Sequence, residues 1–311
     1  VHQLVGVITG NYDRPIKTPV RTMRSPQEIC RQCHWPEQQK ENQDRLFTHF
    51  LADETNTPFS VRLSMKIGGG DPAQGPVSGI HWHTSAQVEY FASDERLQTI
   101  PWVRYTDREG KTVEYRAPDF TDDVPRDKIR VMDCTDCHNR PAHQFPPPNT
   151  SVDRAMAEGK IDPGIPWIKS NIVAALIAPY DTEDEALQKI AADLRGKYPA
   201  NPKIDSAIAA AQDIFKVSFF PEMKADWRAY PDNIGHKEWS GCFRCHDGLH
   251  KSSDARTLRS ENCNMCHTIL AQGAGEELEK LSAKGHDFFH IDSINEDFSC
   301  IECHTGAFQR E

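Results

Sequence analysis

Every cysteine in this chain belongs to one repeated pentapeptide. Cys-x-x-Cys-His occurs five times, as Cys30/Cys33/His34, Cys134/Cys137/His138, Cys242/Cys245/His246, Cys263/Cys266/His267 and Cys300/Cys303/His304, and the copies use all 10 cysteines. Two thiols three residues apart on one turn can each form a thioether to a vinyl group of the same porphyrin. The imidazole of the next residue can then ligate its iron. Random placement of 10 Cys and 14 His would yield roughly 0.014 such motifs in a chain of this length, so five are not coincidence.

Zinc is the rival reading, because 17 residues separate Cys245 from Cys263, within the spacing of a zinc ribbon. Tetrahedral zinc takes Cys-x-x-Cys hairpins in pairs, however, and five copies cannot pair. Nor does zinc require a histidine after each second cysteine. A disulfide framework would leave that histidine unexplained and is too sparse for a stapled fold. The residues therefore imply five covalently bound c-type haems.

Each motif would supply one axial ligand, and the sixth ligand decides whether an iron only passes electrons or also binds substrate. Outside the motifs stand His2, His49, His81, His83, His143, His236, His250, His286 and His290. His81 and His83 flank Trp82, and in an extended segment residues i and i+2 share a face, so both could reach adjacent haems. His143 follows motif two by five residues, with Pro141 turning the chain. His236 precedes motif three, His250 follows it, and His290 comes ten residues before Cys300. The expected metal set is thus His34, His138, His246, His267 and His304 with His81, His83, His143, His236, His250 and His290. His49 is a reserve; His2 and His286 read as bystanders, although His2 could reach a haem of a neighbouring copy. The six methionines show no spacing that would make them ligands. With all five irons six-coordinate no substrate position is open, so the expectation is electron transfer without an enzymatic site. Multihaem nitrite reductases put Lys in place of one motif histidine at the active haem, whereas every motif here keeps its histidine.

The balance of 36 basic and 46 acidic residues gives a net charge of −10 before any haem propionate is counted, which argues against nucleic acid as a partner. Hydrophobic content is 38% and mean hydropathy −0.65. With roughly 60 residues to each haem, the porphyrins are expected to form much of the core and the unloaded chain to fold poorly. The longest apolar run, Ile172 to Ala178, falls far short of the about 20 residues that span a bilayer. A start at Val1 reads as a processed end that has lost a secretion signal or an anchor. Covalent haem attachment of this kind takes place outside the cytoplasmic membrane, so the expected location is the periplasm or the cell surface.

The elements that must hold the motifs are partly legible. Phe59 to Ile67 alternates apolar and polar residues ahead of Gly68-Gly69-Gly70, and Ile100 to Thr106 with Lys111 to Arg116 reads as a hairpin joined by residues 107–110. Thr182 and Glu185 spell a capping box before Ala186 to Leu194, with Gly196 as the stop. Asn201-Pro202 opens a second helix with Ile204, Ile208, Ala211 and Phe215 on one face. Pro146 to Pro148 reads as a stiff connector and Gly273 to Gly275 as a loop. The expected fold is a mostly α and irregular multihaem cytochrome with a small β insert. It divides into a two-haem region with the β insert (1–150), a helical segment (151–230) and a three-haem cluster (231–311).

The stretch from Cys30 to His138 contains Gly79-Ile-His-Trp-His83, Val88-Glu-Tyr90, Ile100-Pro-Trp-Val103 and Cys134-Thr-Asp-Cys-His-Asn-Arg-Pro141. It resembles multihaem c-type cytochromes of the NapC/NirT-like kind found in anaerobic metal-reducing bacteria. Cys242-Phe-Arg-Cys-His-Asp-Gly-Leu-His250 through Cys263-Asn-Met-Cys-His267 is similar to the same group. That resemblance implies a membrane-anchored periplasmic protein passing electrons from the quinol pool to other redox proteins. The chain departs from it in showing no anchor helix and in carrying five motifs where tetrahaem members have four. Two functions follow: an electron carrier working with other redox proteins, among them a membrane quinol-oxidising partner, or a protomer of an extracellular cytochrome filament built from copies of itself.

Overall fold

The computed structural model describes residues 6, 9–18, 29–34, 41–69, 77–258, 263–290 and 300–307. Strands β1 (Gln43–Phe50) and β2 (Pro58–Met65) form an antiparallel hairpin. The Asp53 carboxylate closes it by accepting from the Thr57 amide at 2.8 Å and the Thr57 hydroxyl at 2.6 Å. A second sheet gathers β3 (Gln87–Phe91), β4 (Trp102–Thr106), β5 (Thr112–Arg116) and β6 (Arg130–Val131) in the order β5-β4-β3-β6. The expected strand at Phe59 is β2, and the expected hairpin is β4 and β5, its loop pinned by the Asp107 carboxylate on the Lys111 amide at 2.8 Å. Far along the chain, β7 (His267–Gly273) pairs antiparallel with β2, so the C-terminal motifs are tied to the N-terminal hairpin.

The helices are α1 (Cys134–Cys137), α2 (Pro148–Ala157), α3 (Ile168–Ile177), α4 (Glu183–Lys197), α5 (Ile204–Ser218) and α6 (Cys300–Cys303). Pro148 occupies the first turn of α2, where its missing N–H costs nothing, so the proline run is partly a helix start. Thr182 caps α4 by accepting from the Glu185 amide at 3.2 Å, while the Glu185 carboxylate accepts from the Asp181 amide at 2.9 Å. Gly196 lies inside α4, one residue short of its end. The apolar face expected on α5 is buried throughout, at Ile204, Ile208, Ala211 and Phe215. Among the described residues no helix is long and apolar enough to cross a membrane.

Two parts of the expected fold class are corrected. The chain is not mostly helical and its β component is no small insert, since among the described residues seven strands form two antiparallel sheets. Nor does the largest core need porphyrin: α2 to α5 enclose a continuous apolar cluster containing Val152, Ile161, Ile172, Leu176, Ile190 and Leu194, each 0–1% exposed. Burying each such side chain contributes about 1.5–3 kcal/mol. The low average hydrophobicity concealed this core because the apolar residues are concentrated in one segment.

One polar cluster fastens this helical bundle to the hairpin. Lys169 on α3 donates to Asp153 on α2 at 2.6 Å and to the Phe50 carbonyl at the end of β1. Asp153 also accepts from the Phe50 amide at 3.0 Å and contacts His49 Nδ1 at 3.1 Å. Burial alone would raise the Asp153 carboxyl, but His49 and Lys169 outweigh it and hold it below its ordinary range. A carboxyl so lowered stabilises the fold fully above about pH 4, and that contribution is lost as pH falls through the lowered value. Asp153→Asn strands the buried Lys169 ammonium, so denaturant titration should show a loss of about 3–5 kcal/mol at neutral pH. A loss under 1 kcal/mol would contradict this account of the bundle's attachment.

Candidate functional site

Each motif is wound into a single turn that brings its thiols to one side. The histidine amide donates to the carbonyl of the first cysteine in motif one (2.8 Å), motif two (2.8 Å), motif three (3.1 Å) and motif five (2.7 Å). Motif four opens as a short 3-10 turn at Cys263–Met265, with the Cys266 amide on the Cys263 carbonyl at 3.3 Å. Motif two is the most elaborately capped. Asp133 accepts from the Thr135 amide at 2.7 Å while Asp136 reaches back to the Asp133 amide at 2.7 Å. None of the ten cysteines forms a disulfide.

Four motif histidines face a second imidazole. Ring centres lie 6.3 Å apart for His138 and His81, 5.8 Å for His246 and His83, 6.3 Å for His267 and His236, and 5.9 Å for His304 and His290. A ligating imidazole nitrogen sits about 2.0–2.1 Å from a transition metal and roughly 1.1 Å from its own ring centre. Two imidazoles on opposite sides of one metal therefore have ring centres about 6.3 Å apart. Edge-to-face ring contacts fall in the same range, so what sets these four pairs apart is that each joins a motif histidine to a second imidazole.

Electrostatics suits the rings to ligation. Burial first, then the neighbouring His83, takes His246 down to about 4, and burial, then Lys237, does the same to His304. Burial likewise lowers His81, His83, His236 and His267. All stay neutral at pH 7, so each keeps a nitrogen lone pair for a metal. The thiols shift the other way: burial, then the next motif's Cys242, pushes Cys137 up to about 11, and burial pushes Cys245 up to about 12. The donor set and its spacing fit iron porphyrin bound by two thioethers and two imidazoles. Among the described residues no group of three or more His, Cys, Asp and Glu side chains is arranged to hold a metal ion by itself.

His81 and His83 lie opposite the histidines of two different motifs, but the extended segment expected to carry them is not there. Residues Ile80–Ser85 form a 3-10 turn, so i and i+2 point about 240° apart, and the two rings are sent to different motifs. The turn is locked to the end of β2, with the Ile80 amide on the Lys66 carbonyl at 2.8 Å and the His81 amide on the Ile67 carbonyl at 3.0 Å. Gly79 makes that approach possible: at its φ of 74° a Cβ would fall 2.5 Å from the Lys66 oxygen. Through Nδ1, 2.9 Å from the Ile80 carbonyl, His83 keeps Nε2 free as the ligating atom.

A buried network at the spacer positions of motifs two and three joins them. Arg244 donates to the Asp136 carbonyl at 2.7 Å, the Leu97 carbonyl at 2.8 Å and the Gly241 carbonyl at 2.9 Å. Tyr90 donates to the Asp136 carboxylate and accepts from Arg130 at 3.0 Å. The sequence offered no signal for this network beyond the presence of charges between the cysteines.

Other candidates are placed differently. Both nitrogens of His250 are engaged, Nδ1 with Asp247 at 2.8 Å and Nε2 with the Ile100 carbonyl at 2.7 Å, which makes it a tie between the second sheet and motif three. His143 lies against Phe145 and Phe220, with ring centres at 4.4 and 5.6 Å. His49 is bound to Asp153, and His286 Nε2 contacts the Lys280 carbonyl at 3.3 Å. His34 and Cys33 are exposed, and among the described residues no second imidazole faces His34. His2 lies outside the described residues.

These attachment turns and facing imidazoles define a site for covalently bound haem. The chain is similar to Cytochrome c-type protein ImcH of Geobacter sulfurreducens, with 37% identity over 322 aligned residues that take in 99% of this chain and 63% of that protein. It thus spans less than two thirds of that relative's length. No protein-family model and no solved structure matches the chain, so the NapC/NirT-like resemblance has no match of its own. That relative is named as a c-type cytochrome protein.

Arg244→Ala strands three carbonyls at about 1–3 kcal/mol for each that stays dry. The variant should unfold at clearly lower denaturant concentration while its other four attachment motifs still take up haem. An unchanged midpoint would show that motifs two and three do not depend on this clamp.

Proposed function

We propose that the chain is a pentahaem electron-transfer cytochrome, exported to the periplasm or cell surface, in which imidazole pairs hold the irons. The single observation that carries the proposal is that four of the five motif histidines each stand 5.8–6.3 Å, ring centre to ring centre, from a second imidazole. The cysteine pairs would anchor each porphyrin, His138, His246, His267 and His304 would each supply one ligand, and His81, His83, His236 and His290 the opposing one. Bound haem would supply a one-electron couple. At these four motifs the chain's part would be to hold an imidazole on each side of the iron, so that charge passes with little rearrangement and no position opens for substrate there. The printed name of the relative, a c-type cytochrome protein, agrees with this reading. Partners would be other redox proteins, and the −10 charge favours basic docking surfaces.

Intact mass of the exported protein should exceed the polypeptide by five porphyrins, with no free thiol. Replacing His81 by Met should raise the potential of one haem in a redox titration, because a thioether ligand favours ferrous iron more than imidazole does. Fewer than five covalent porphyrins, or a His81→Met titration identical to that of the unaltered protein, would contradict the proposal.

A further inference from the structure

We infer that the five attachment motifs stand in single file in the order in which they occur in the chain, so that motif one and motif five are its two ends. The inference rests on the haem reading above and extends it from separate sites to their sequence in space.

Each consecutive pair of motifs is joined by its own contact. Between one and two, the segment ahead of motif one is tied down beside the tail of motif two: Arg140, two residues after His138, donates to Thr18 at 3.1 Å. The same Arg140 lies 4.8 Å over Tyr230, whose hydroxyl donates to the Ile16 carbonyl at 3.0 Å. The Cys134 thiol, raised first by burial, is raised further by Cys30. Between two and three, one 3-10 turn presents His81 to His138 and His83 to His246, while Arg244 of motif three grips the backbone of Asp136 in motif two.

Between three and four, His236 stacks at 4.3 Å and 11° on Phe243, a spacer residue of motif three, and faces His267 of motif four. Between four and five, strand β7 starts at His267, and the segment bearing His290 runs beside that strand. Gln272 donates to the Asp287 carbonyl at 2.6 Å and accepts from the Phe289 amide at 3.4 Å.

The ends differ. At motif one Ile29, Cys33 and His34 are exposed. Motif five is backed by the helical bundle: Asn149 on α2 donates its amide to the Gly306 carbonyl at 3.0 Å, Trp227 donates to the Thr305 carbonyl at 3.1 Å, and Ala307 is buried in the bundle core.

The test is a set of double-mutant cycles on the full, haem-loaded chain. His81→Met, His83→Met, His236→Met and His290→Met mark motifs two to five, and spectroelectrochemical titration reads the potentials. Changes at neighbouring sites interact and changes at remote sites add. The file predicts that the shifts of His81→Met with His83→Met, and of His83→Met with His236→Met, depart from the sum of the single shifts, while His81→Met with His290→Met equals its sum. Coupling of the last pair as strong as the first overturns the order. If a variant fails to retain haem, the iron positions in a crystal or cryo-electron microscopy structure of the unaltered protein decide the same point. Each iron must have its nearest neighbour in an adjacent motif, and one whose nearest neighbour lies two motifs away refutes the file. Failure of the haem reading itself would register separately, as missing porphyrin mass.

Discussion

Much of this molecule follows from the need to hold imidazoles from separate segments opposite the motif histidines at a common separation. The rings of His138 and His81, and those of His267 and His236, stand 6.3 Å apart although each pair comes from separate segments of the chain. The surrounding structure holds them there. The end of β2 fixes the His81 turn, the Gly79 backbone lets that turn approach, and Phe243 stacks behind His236.

The fold distributes two tasks between two kinds of scaffold. Short turns and sheet edges carry the motifs, whose geometry is set by covalent attachment and by local backbone bonds. The helical bundle contains no motif, and its apolar core makes it the largest haem-independent body in the chain. The bundle meets the motif-bearing part at both termini, through Asp153 and Lys169 at the first hairpin and through Ala307 beyond motif five. Anchoring a relay to a rigid body in this way would hold spacing between sites constant, which transfer of single electrons requires more than it requires any one contact.

The attachment chemistry was legible because it demands contiguous residues, and the amphipathic face of α5 was legible because Ile204, Ile208, Ala211 and Phe215 repeat at helical spacing. Partner histidines were harder, since ligation depends on proximity in space. Nearness to a motif singled out His236 and His290, which lie opposite His267 and His304, and the same criterion chose His250, whose ring is taken by Asp247 three residues earlier. An acidic residue at that helical spacing was the signal to weigh. Strand β6 has two residues and α3 is apolar on nearly every side, so neither carries a readable period. The Tyr90, Asp136 and Arg244 network was hidden because its members are brought together from separate segments.

Near-infrared magnetic circular dichroism of the fully oxidised, haem-loaded protein tests the central claim most directly, because the charge-transfer band of low-spin ferric haem reports its pair of axial ligands. The facing rings predict a bis-imidazole band with the intensity of at least four haems. A spectrum dominated by imidazole–thioether or high-spin iron would contradict the account.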